Sequence, residues 1–147
     1  MPARPKNSRK RSATKRNAPP EVLHCFIDEC LGRHAVPNAL RAAGVAIVLH
    51  HELFPGGTDD AAWLRALVNR PDLVVLTKDA RIRHRTIERE ALHASRLRVF
   101  ALSSGNLSGA DQAAAFVRAL PKIRRFARRP GPFIARVTAT GAVALTG

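Results

Sequence analysis

The sequence predicts an α/β protein whose parallel sheet is covered by helices on both faces. Short aliphatic runs alternate with segments of helical periodicity along the chain, which is the order that builds such a sheet. Of the 147 residues, 46% are hydrophobic and only 5% are aromatic, so we expect an aliphatic core. No apolar run approaches the roughly 18 residues that a membrane helix needs, and we expect no membrane association.

Residues 1–20 differ from the rest of the chain and predict a disordered basic arm that precedes a single domain at 21–147. They contain seven basic residues, four prolines and no acid, and such a segment cannot bury enough apolar surface to fold. The arm either solubilises the protein or binds a polyanion. It lacks the apolar stretch of a secretory signal, so we expect a cytoplasmic protein.

The first strand–helix–strand unit follows the arm. The apolar run at 22–27 ends abruptly and predicts a buried strand. Apolar residues at helical spacing over 36–43 predict a helix that stops at Gly44, with Pro37 in its first turn. The aliphatic run at 45–49 predicts the second strand.

The second unit leads through a polar loop at 50–57 to a third strand at 73–77. Thr58 is a suitable N-cap for the helix that carries Trp63, because its hydroxyl group can accept a hydrogen bond from a free backbone amide. Pro71 ends this helix, since proline cannot donate the next helical hydrogen bond.

The remaining elements continue the alternation of strands and helices. Thr86 is expected to cap a further helix before a fourth strand at 97–102. Ser108 and Asp111 have the spacing of a capping box for the last helix, which Pro121 should kink or divide. Two short runs predict a closing hairpin, at 133–137 and 142–145.

The chain carries a formal charge of +14, and the arm accounts for half of it. The other half belongs to the domain, where basic side chains form two clusters. The first cluster consists of Lys78, Arg81, Arg83, Arg85 and Arg89. The second cluster consists of Arg118, Lys122, Arg124, Arg125, Arg128 and Arg129. A charge cluster is often only a solvated face, but a one-signed excess of this size favours a surface that binds nucleic acid.

Acidic residues are few, and the predicted topology gathers several of them at one edge of the sheet. Asp28 and Glu29 end the first strand, Asp59 and Asp60 open the helix after the second strand, and Asp79 follows the third strand. Ligand sites of open parallel sheets lie outside the carboxyl ends of the strands. Converging carboxylates repel one another unless a cation holds them, and their oxygen atoms suit Mg²⁺ or Mn²⁺.

An acidic metal site beside basic residues has the chemistry that phosphodiester hydrolysis needs. Each acid also has a local explanation, as a residue of a helix start, a turn or an ion pair. Asp28, Asp60 and Asp79 together at one edge nevertheless favour a shared metal site.

Three segments of the sequence resemble the PIN-like nuclease superfamily, and its branch of VapC-like toxins in particular. They read FIDECL at 26–31, GTDDAAWL at 57–64 and VVLTKDARIR at 74–83. The resemblance spans about residues 21 to 140. It implies a three-layer α/β/α domain with a central, mainly parallel sheet, and a ribonuclease that depends on Mg²⁺ or Mn²⁺. The toxin members of the family also imply an antitoxin partner that blocks the site.

The resemblance assigns roles to the acidic residues. It implies that Asp28, Asp60 and Asp79 are catalytic metal ligands, that Asp59 competes with Asp60 for this role, and that Glu29 is a further acid close to the metal.

The first basic cluster bears on RNA binding. Its members on both sides of Asp79 would hold the RNA backbone, namely Lys78, Arg81, Arg83 and Arg85.

A departure from the family pattern bears on the number of metal ions. PIN domains commonly carry a fourth acid after the fourth strand. Here that region contains Ser103, Ser104, Gly105 and Asn106, so Asn106 or a serine would have to serve, and the count of metal ions stays open.

Two other function classes stay open. A PIN-like module without metal ions would bind nucleic acid through its basic clusters alone. A receiver-like signalling domain also carries acids after its first and third strands, but the basic stretch around Lys78 fits it poorly.

The remaining reactive or aromatic residues predict structural roles. Cys25 and Cys30 are interpreted as buried thiols, and the adjacent His50 and His51 lack the ligand spacing of a zinc site. The helix face around Trp63 is expected to lie in the core, with any exposed part available to a homodimer.

Overall fold

A computed structural model of the protein describes residues 22–78, 96–103 and 106–146. Within these ranges, six strands form one sheet in the order β2-β1-β3-β4-β5-β6. Strands β1 to β5 are parallel, and β6 is antiparallel to β5. The strands are β1 His24–Ile27, β2 Ala46–Leu49, β3 Leu73–Thr77, β4 Arg98–Leu102, β5 Phe133–Val137 and β6 Val143–Leu145. The predicted α/β architecture is therefore confirmed.

Several predictions fall on residues that the structure does not describe. They concern the basic arm at 1–20, the helix expected from Thr86, and Asp79 with the arginines of the first basic cluster that follow it. The boundary between arm and domain stays a prediction for the same reason.

Two apolar cores cover opposite faces of the sheet, because alternate residues of each strand point to opposite sides. Cys25 and Val74 belong to one core, whereas their neighbours Phe26 and Val75 belong to the other. Helices on both sides complete the three layers that the family resemblance implied.

The helices of the first core are α1 (Ala35–Ala42) and, further along the chain, α4 (Gly109–Phe126). The Ser108 hydroxyl group caps α4 by accepting a hydrogen bond from the amide of Asp111 at 3.1 Å, as predicted. Pro121 does not divide this helix, which is assigned without a break from Gly109 to Phe126. Pro121 and Val117 are both exposed, so water can hydrate the carbonyl group that proline deprives of its helical donor.

The loop predicted at 50–57 begins instead with a short helix, α2 (His50–Leu53). The Glu52 side chain accepts a hydrogen bond from the amide of Leu49 at 2.7 Å and thereby holds the first turn. The polar sequence concealed this turn, whose first residue, His50, is only 2% exposed.

Helix α3 (Asp60–Ala66) covers the second core, where Trp63 and Leu64 are fully buried. Its N-cap is Asp59 rather than the predicted Thr58. The Thr58 hydroxyl group donates a hydrogen bond to the carbonyl of Pro55 at 2.6 Å, and this local turn competes with capping. The burial of Trp63 and Leu64 removes this face as a homodimer surface.

The predicted hairpin is formed by β5 and β6, and Gly141 lies in its turn with a φ of +90°. This backbone conformation favours glycine. None of the helices in the described ranges is long and apolar enough to cross a membrane.

Candidate active site

The carboxyl ends of β1 and β3 lie side by side at one edge of the sheet. Ile27 pairs with Leu76, and the amide of Asp28 donates a hydrogen bond to the carbonyl of Leu76 at 3.0 Å. This register brings Asp28 beside Thr77, the last residue of β3. Asp28 is only 6% exposed, which is unusual for an aspartate.

Within the described ranges, the side chains of Thr77 and Cys30 hold the carboxylate group of Asp28. The hydroxyl group of Thr77 donates a hydrogen bond to Oδ2 at 2.7 Å, and Sγ of Cys30 donates to the same oxygen at 3.4 Å. The thiol and the hydroxyl group are also within 3.4 Å of each other. The Asp28 carboxylate is therefore fixed by the neighbouring strand and by the 3₁₀ turn Glu29–Leu31 that follows β1.

Cys30 can act as a donor because its thiol keeps its proton. Burial, together with the adjacent carboxylate of Asp28, which disfavours a second negative charge, raises the pKa of Cys30 to about 11. The sequence predicts only a structural thiol at Cys30, and this contact is not part of that prediction. Its position two residues after Asp28 is the sequence feature that could have indicated it. Cys25 is fully buried within β1, as expected.

Glu29 joins the end of β1 to the segment that follows β2. Its Oε1 accepts a hydrogen bond from the amide of Gly57 at 3.4 Å, and its Oε2 lies 3.7 Å from Nδ1 of His50. The Glu29 side chain is 47% exposed, so its carboxylate lies at the surface beside the buried Asp28.

His50 contacts this carboxylate from inside an aromatic cage. Its ring lies between 5.5 and 6.3 Å from the rings of Phe26, Phe54 and Trp63. Nδ1 of His50 is buried and has no hydrogen-bond partner within the described ranges. In the sequence, His50 is compared only with the ligand spacing of a zinc site. Its place directly after β2, at the same edge as Asp28, is the sequence feature that could have indicated this contact.

The other predicted ligands are only partly covered by the structure. Asp60 is the first residue of α3 and follows β2, but its side chain is not described. Asp59 is exposed, and its side chain makes no capping hydrogen bond. Asp79 lies outside the described residues. The described ranges contain no cluster of three or more metal-ligating side chains, so the convergence of Asp28, Asp60 and Asp79 stays a prediction.

The first basic cluster is likewise described only at its start. The backbone of Lys78 donates a hydrogen bond to Sγ of Cys30 at 3.5 Å, which places this lysine at the site. Its remaining members, Arg81, Arg83, Arg85 and Arg89, lie outside the described residues.

The structure describes two of the four residues at the position where PIN domains commonly carry a fourth acid. Ser103 and Asn106 are exposed beyond β4, at the same edge of the sheet as Asp28.

Comparisons with known proteins agree with this arrangement. The sequence model of a PIN-like domain family matches residues 23–104, a range that contains the described part of the site. The chain is 31% identical over 123 residues to a protein of Mycobacterium tuberculosis (strain ATCC 25618 / H37Rv) that is provisionally named as a ribonuclease, VapC45. This match covers 81% of the present chain and 88% of the mycobacterial protein. No solved structure matches the chain at a significant level.

Proposed function

Because the chain belongs to the PIN-like domain family and to its VapC-type toxin branch, we propose that it is a divalent-metal-dependent endoribonuclease of a toxin–antitoxin pair. The observation that carries the proposal is the carboxylate of Asp28, buried and hydrogen-bonded at the carboxyl edge of the sheet. The name of the mycobacterial relative supports RNA as the substrate.

The donor groups at this edge fit a hard divalent cation such as Mg²⁺ or Mn²⁺. Asp28, Glu29 and Thr77 offer oxygen atoms, which these cations prefer. The Sγ atom of Cys30 donates a hydrogen bond to the carboxylate of Asp28, so it supports that ligand.

Asp60 and Asp79 would complete the set of ligands around Asp28. The backbone of Asp60 starts α3 just beyond β2, and Asp79 directly follows Lys78. Asp59 is the competing residue at the start of α3. When bound, Mg²⁺ or Mn²⁺ would activate a water molecule and stabilise the negative charge that develops on the phosphoryl oxygens.

The side chains of the site would orient the reacting groups. Thr77 and Cys30 hold the carboxylate of Asp28 in one orientation, so that it needs little reorganisation when RNA binds. Glu29, at the surface beside it, would orient the attacking water or accept its proton. Basic residues beside Asp79 would hold the phosphate groups of the RNA on either side of the cleaved bond, namely Lys78, Arg81, Arg83 and Arg85.

We also propose a substrate, a partner and a location for the protein. Its substrate is RNA, its partner is a cognate antitoxin that blocks the site, and it acts in the cytoplasm. The domain at 21–147 carries the activity, and the basic arm at 1–20 adds contacts with RNA. A homodimer would have to use a surface other than the buried face of Trp63 and Leu64.

A non-catalytic module that binds nucleic acid is the second candidate, and the domain's excess of seven basic residues favours binding in either case. The two candidates are separated by incubating the full chain with total RNA in Mg²⁺, in Mn²⁺ and in EDTA. We expect cleavage with either metal ion and none in EDTA. Binding without cleavage under all three conditions would overturn the proposal and favour the module.

The variant Asp28→Asn tests the site itself, with Asp72→Asn as its matched control. Asp72 pairs with Arg70 at the opposite edge of the sheet, so the same loss of charge there should leave the rate of cleavage at saturating RNA unchanged. Asp28→Asn should abolish cleavage while RNA binding persists. Full activity of Asp28→Asn would remove this carboxylate from the mechanism.

A further inference from the structure

A second basic site lies at the amino edge of the sheet, opposite to Asp28. A cleft of about 400 Å³ opens where Leu73 starts β3 and where Leu97 precedes β4. Four arginines line it, namely Arg96, Arg98, Arg128 and Arg129. Two of these belong to the second basic cluster of the sequence, which the proposed cleavage site does not use.

Arg98 stabilises the walls of the cleft through hydrogen bonds to the backbone, whereas Arg96, Arg128 and Arg129 line the cleft without such bonds among those observed. Arg98 donates a hydrogen bond to the carbonyl of Pro71 at 2.9 Å and another to the carbonyl of Ala127, so it ties the end of α4 to the turn before β3. The guanidinium group of Arg129 lies 4.7 Å from the centre of the Phe126 ring, which limits its freedom.

No described carboxylate lines the cleft, and none within the described ranges pairs with Arg96, Arg128 or Arg129. These three arginines are exposed. Asp72, which lies between the cleft residues Pro71 and Leu73 in the sequence, is engaged by Arg70 at 3.3 Å, and this contact lowers the pKa of the Asp72 carboxyl. Among the described residues, the positive charge of the cleft therefore has no compensating carboxylate.

The backbone fixes the shape of the cleft before any ligand arrives. Gly131 packs so tightly against the carbonyl of Arg96 that a side chain at this position would collide with it. The amide of Phe133 donates a hydrogen bond to the carbonyl of Leu97 at 3.1 Å and secures the same contact. A preformed site loses less free energy to ordering when it binds.

We propose that this cleft binds phosphate groups of the RNA substrate, as a second contact site remote from the cleavage site. The inference rests on the proposed function. Its volume falls within the range of ligand pockets, roughly 300–1,000 Å³, and the guanidinium group matches a phosphate through paired hydrogen bonds. The positive excess of the whole domain favours a polyanion over a protein segment with a few acidic side chains.

One RNA molecule can contact both edges of the sheet. Strand β3 has five residues, and at about 3.3 Å for each residue the two edges are roughly 15 Å apart. An RNA strand that reaches the carboxyl edge can span this distance. The cleft would therefore contribute to the affinity for RNA and to its orientation without taking part in the cleavage step.

The test compares RNA binding by two double variants of the full chain in EDTA, where no cleavage occurs. Arg128→Gln/Arg129→Gln removes two charges from the cleft and retains part of the aliphatic stem of each side chain. Arg41→Gln/Arg136→Gln removes two charges from exposed positions on α1 and β5, outside the lining of the cleft and outside both basic clusters. Both variants keep residues 1–20, so any RNA contact of the arm cancels. Thermal unfolding verifies that both are folded, and Arg96→Gln serves as an independent cleft variant.

Binding of a labelled single-stranded RNA is measured between about 50 and 200 mM salt, the range over which phosphate contacts respond most. We expect the cleft variant to bind at least about tenfold more weakly than the control variant. We also expect its slope of log K against log salt to be shallower by about 1.4, since each lost phosphate contact on a single strand accounts for about 0.7.

Two results would overturn the inference. One is equal affinity of the cleft and control variants for RNA. The other is unchanged RNA affinity with a loss of binding to a poly-glutamate peptide, which would assign the cleft to an acidic protein. These results differ from failure of the proposed function, which would show as absence of metal-dependent cleavage by the unmodified chain.

Discussion

The hydroxyl group of Thr77 lies 2.7 Å from Oδ2 of Asp28 and donates a hydrogen bond to it, although 49 positions separate the two residues. Thr77 is fully buried, and Asp28 nearly so. The orientation of the candidate catalytic carboxylate is therefore set by the pairing of β1 with β3, not by the loop that carries it. This contact allows the site to be tested separately from the fold.

Replacing Thr77 by valine removes the hydroxyl group and keeps the shape of the side chain. A hydrogen bond to a charged group contributes about 1.5–3 kcal/mol, so we expect Thr77→Val to lower the free energy of unfolding at pH 7 by a similar amount. RNA cleavage should fall at least about tenfold, since the carboxylate loses its fixed orientation. Urea unfolding and initial cleavage rates measure the two effects. Thr77→Ser retains the hydroxyl group and should cleave nearly as fast as the unmodified chain; equal loss in both variants would contradict the positioning role.

The buried thiol of Cys25 predicts a loss of stability at alkaline pH. Burial raises the pKa of Cys25 from 9.0 to about 12, although Arg124 and Arg98 partly oppose this shift. Between pH 9 and 12 the folded state keeps a proton that the unfolded state releases, so stability falls as pH rises. The contribution is fully present below pH 9 and declines at up to about 1.4 kcal/mol per pH unit.

Urea unfolding at pH 8.5, 9.5 and 10.5 checks this slope. The chain contains no tyrosine, which simplifies the alkaline range. Cys25→Ala is less stable at every pH because it leaves a cavity, but its stability should decline less steeply with pH. Parallel curves for the two proteins would show that this thiol does not titrate as expected.

His50 predicts a conflict between stability and activity. Its buried Nδ1 lacks a hydrogen-bond partner within the described ranges and lies 3.7 Å from the carboxylate of Glu29. His50→Phe would fill the aromatic cage without this nitrogen, so we expect the free energy of unfolding to rise by about 1 kcal/mol. Cleavage should fall, because Glu29 loses the polar group that faces it.

His50→Asn provides the matched control for this experiment. The asparagine side chain retains a nitrogen atom close to the position of Nδ1 but leaves the cage partly empty. We expect it to be less stable than the unmodified chain and to cleave RNA faster than His50→Phe. If His50→Phe cleaves at the unmodified rate, the contact with Glu29 has no part in the reaction.

The strands and the edge at which the acids lie could be predicted from the sequence, because both follow from local patterns. Runs such as 45–49 and 73–77 are continuously aliphatic, which identifies buried parallel strands. Once the strands are known, topology alone places Asp28 at the carboxyl edge. Ser108 is predicted correctly as a cap since capping depends on residues only three positions away.

The contacts that shape the site could not be predicted in this way, because they join distant parts of the chain. The sequence identifies Thr77 only as the last residue of a strand. Its hydrogen bond to Asp28 depends on the register between β1 and β3. Helix α2 was missed because its sequence is polar, while its helical turn depends on Glu52 and on the burial of His50.

Asp28, Asp60 and Asp79 are proposed to share one divalent cation, and titration of Mn²⁺ into single Asp→Asn variants tests this shared site. Each of the three substitutions should weaken Mn²⁺ binding by about tenfold or more, equivalent to about 1.4 kcal/mol. Asp72→Asn, at the opposite edge of the sheet, should bind Mn²⁺ as the unmodified chain does. Unchanged Mn²⁺ affinity in Asp60→Asn or in Asp79→Asn would contradict the shared site.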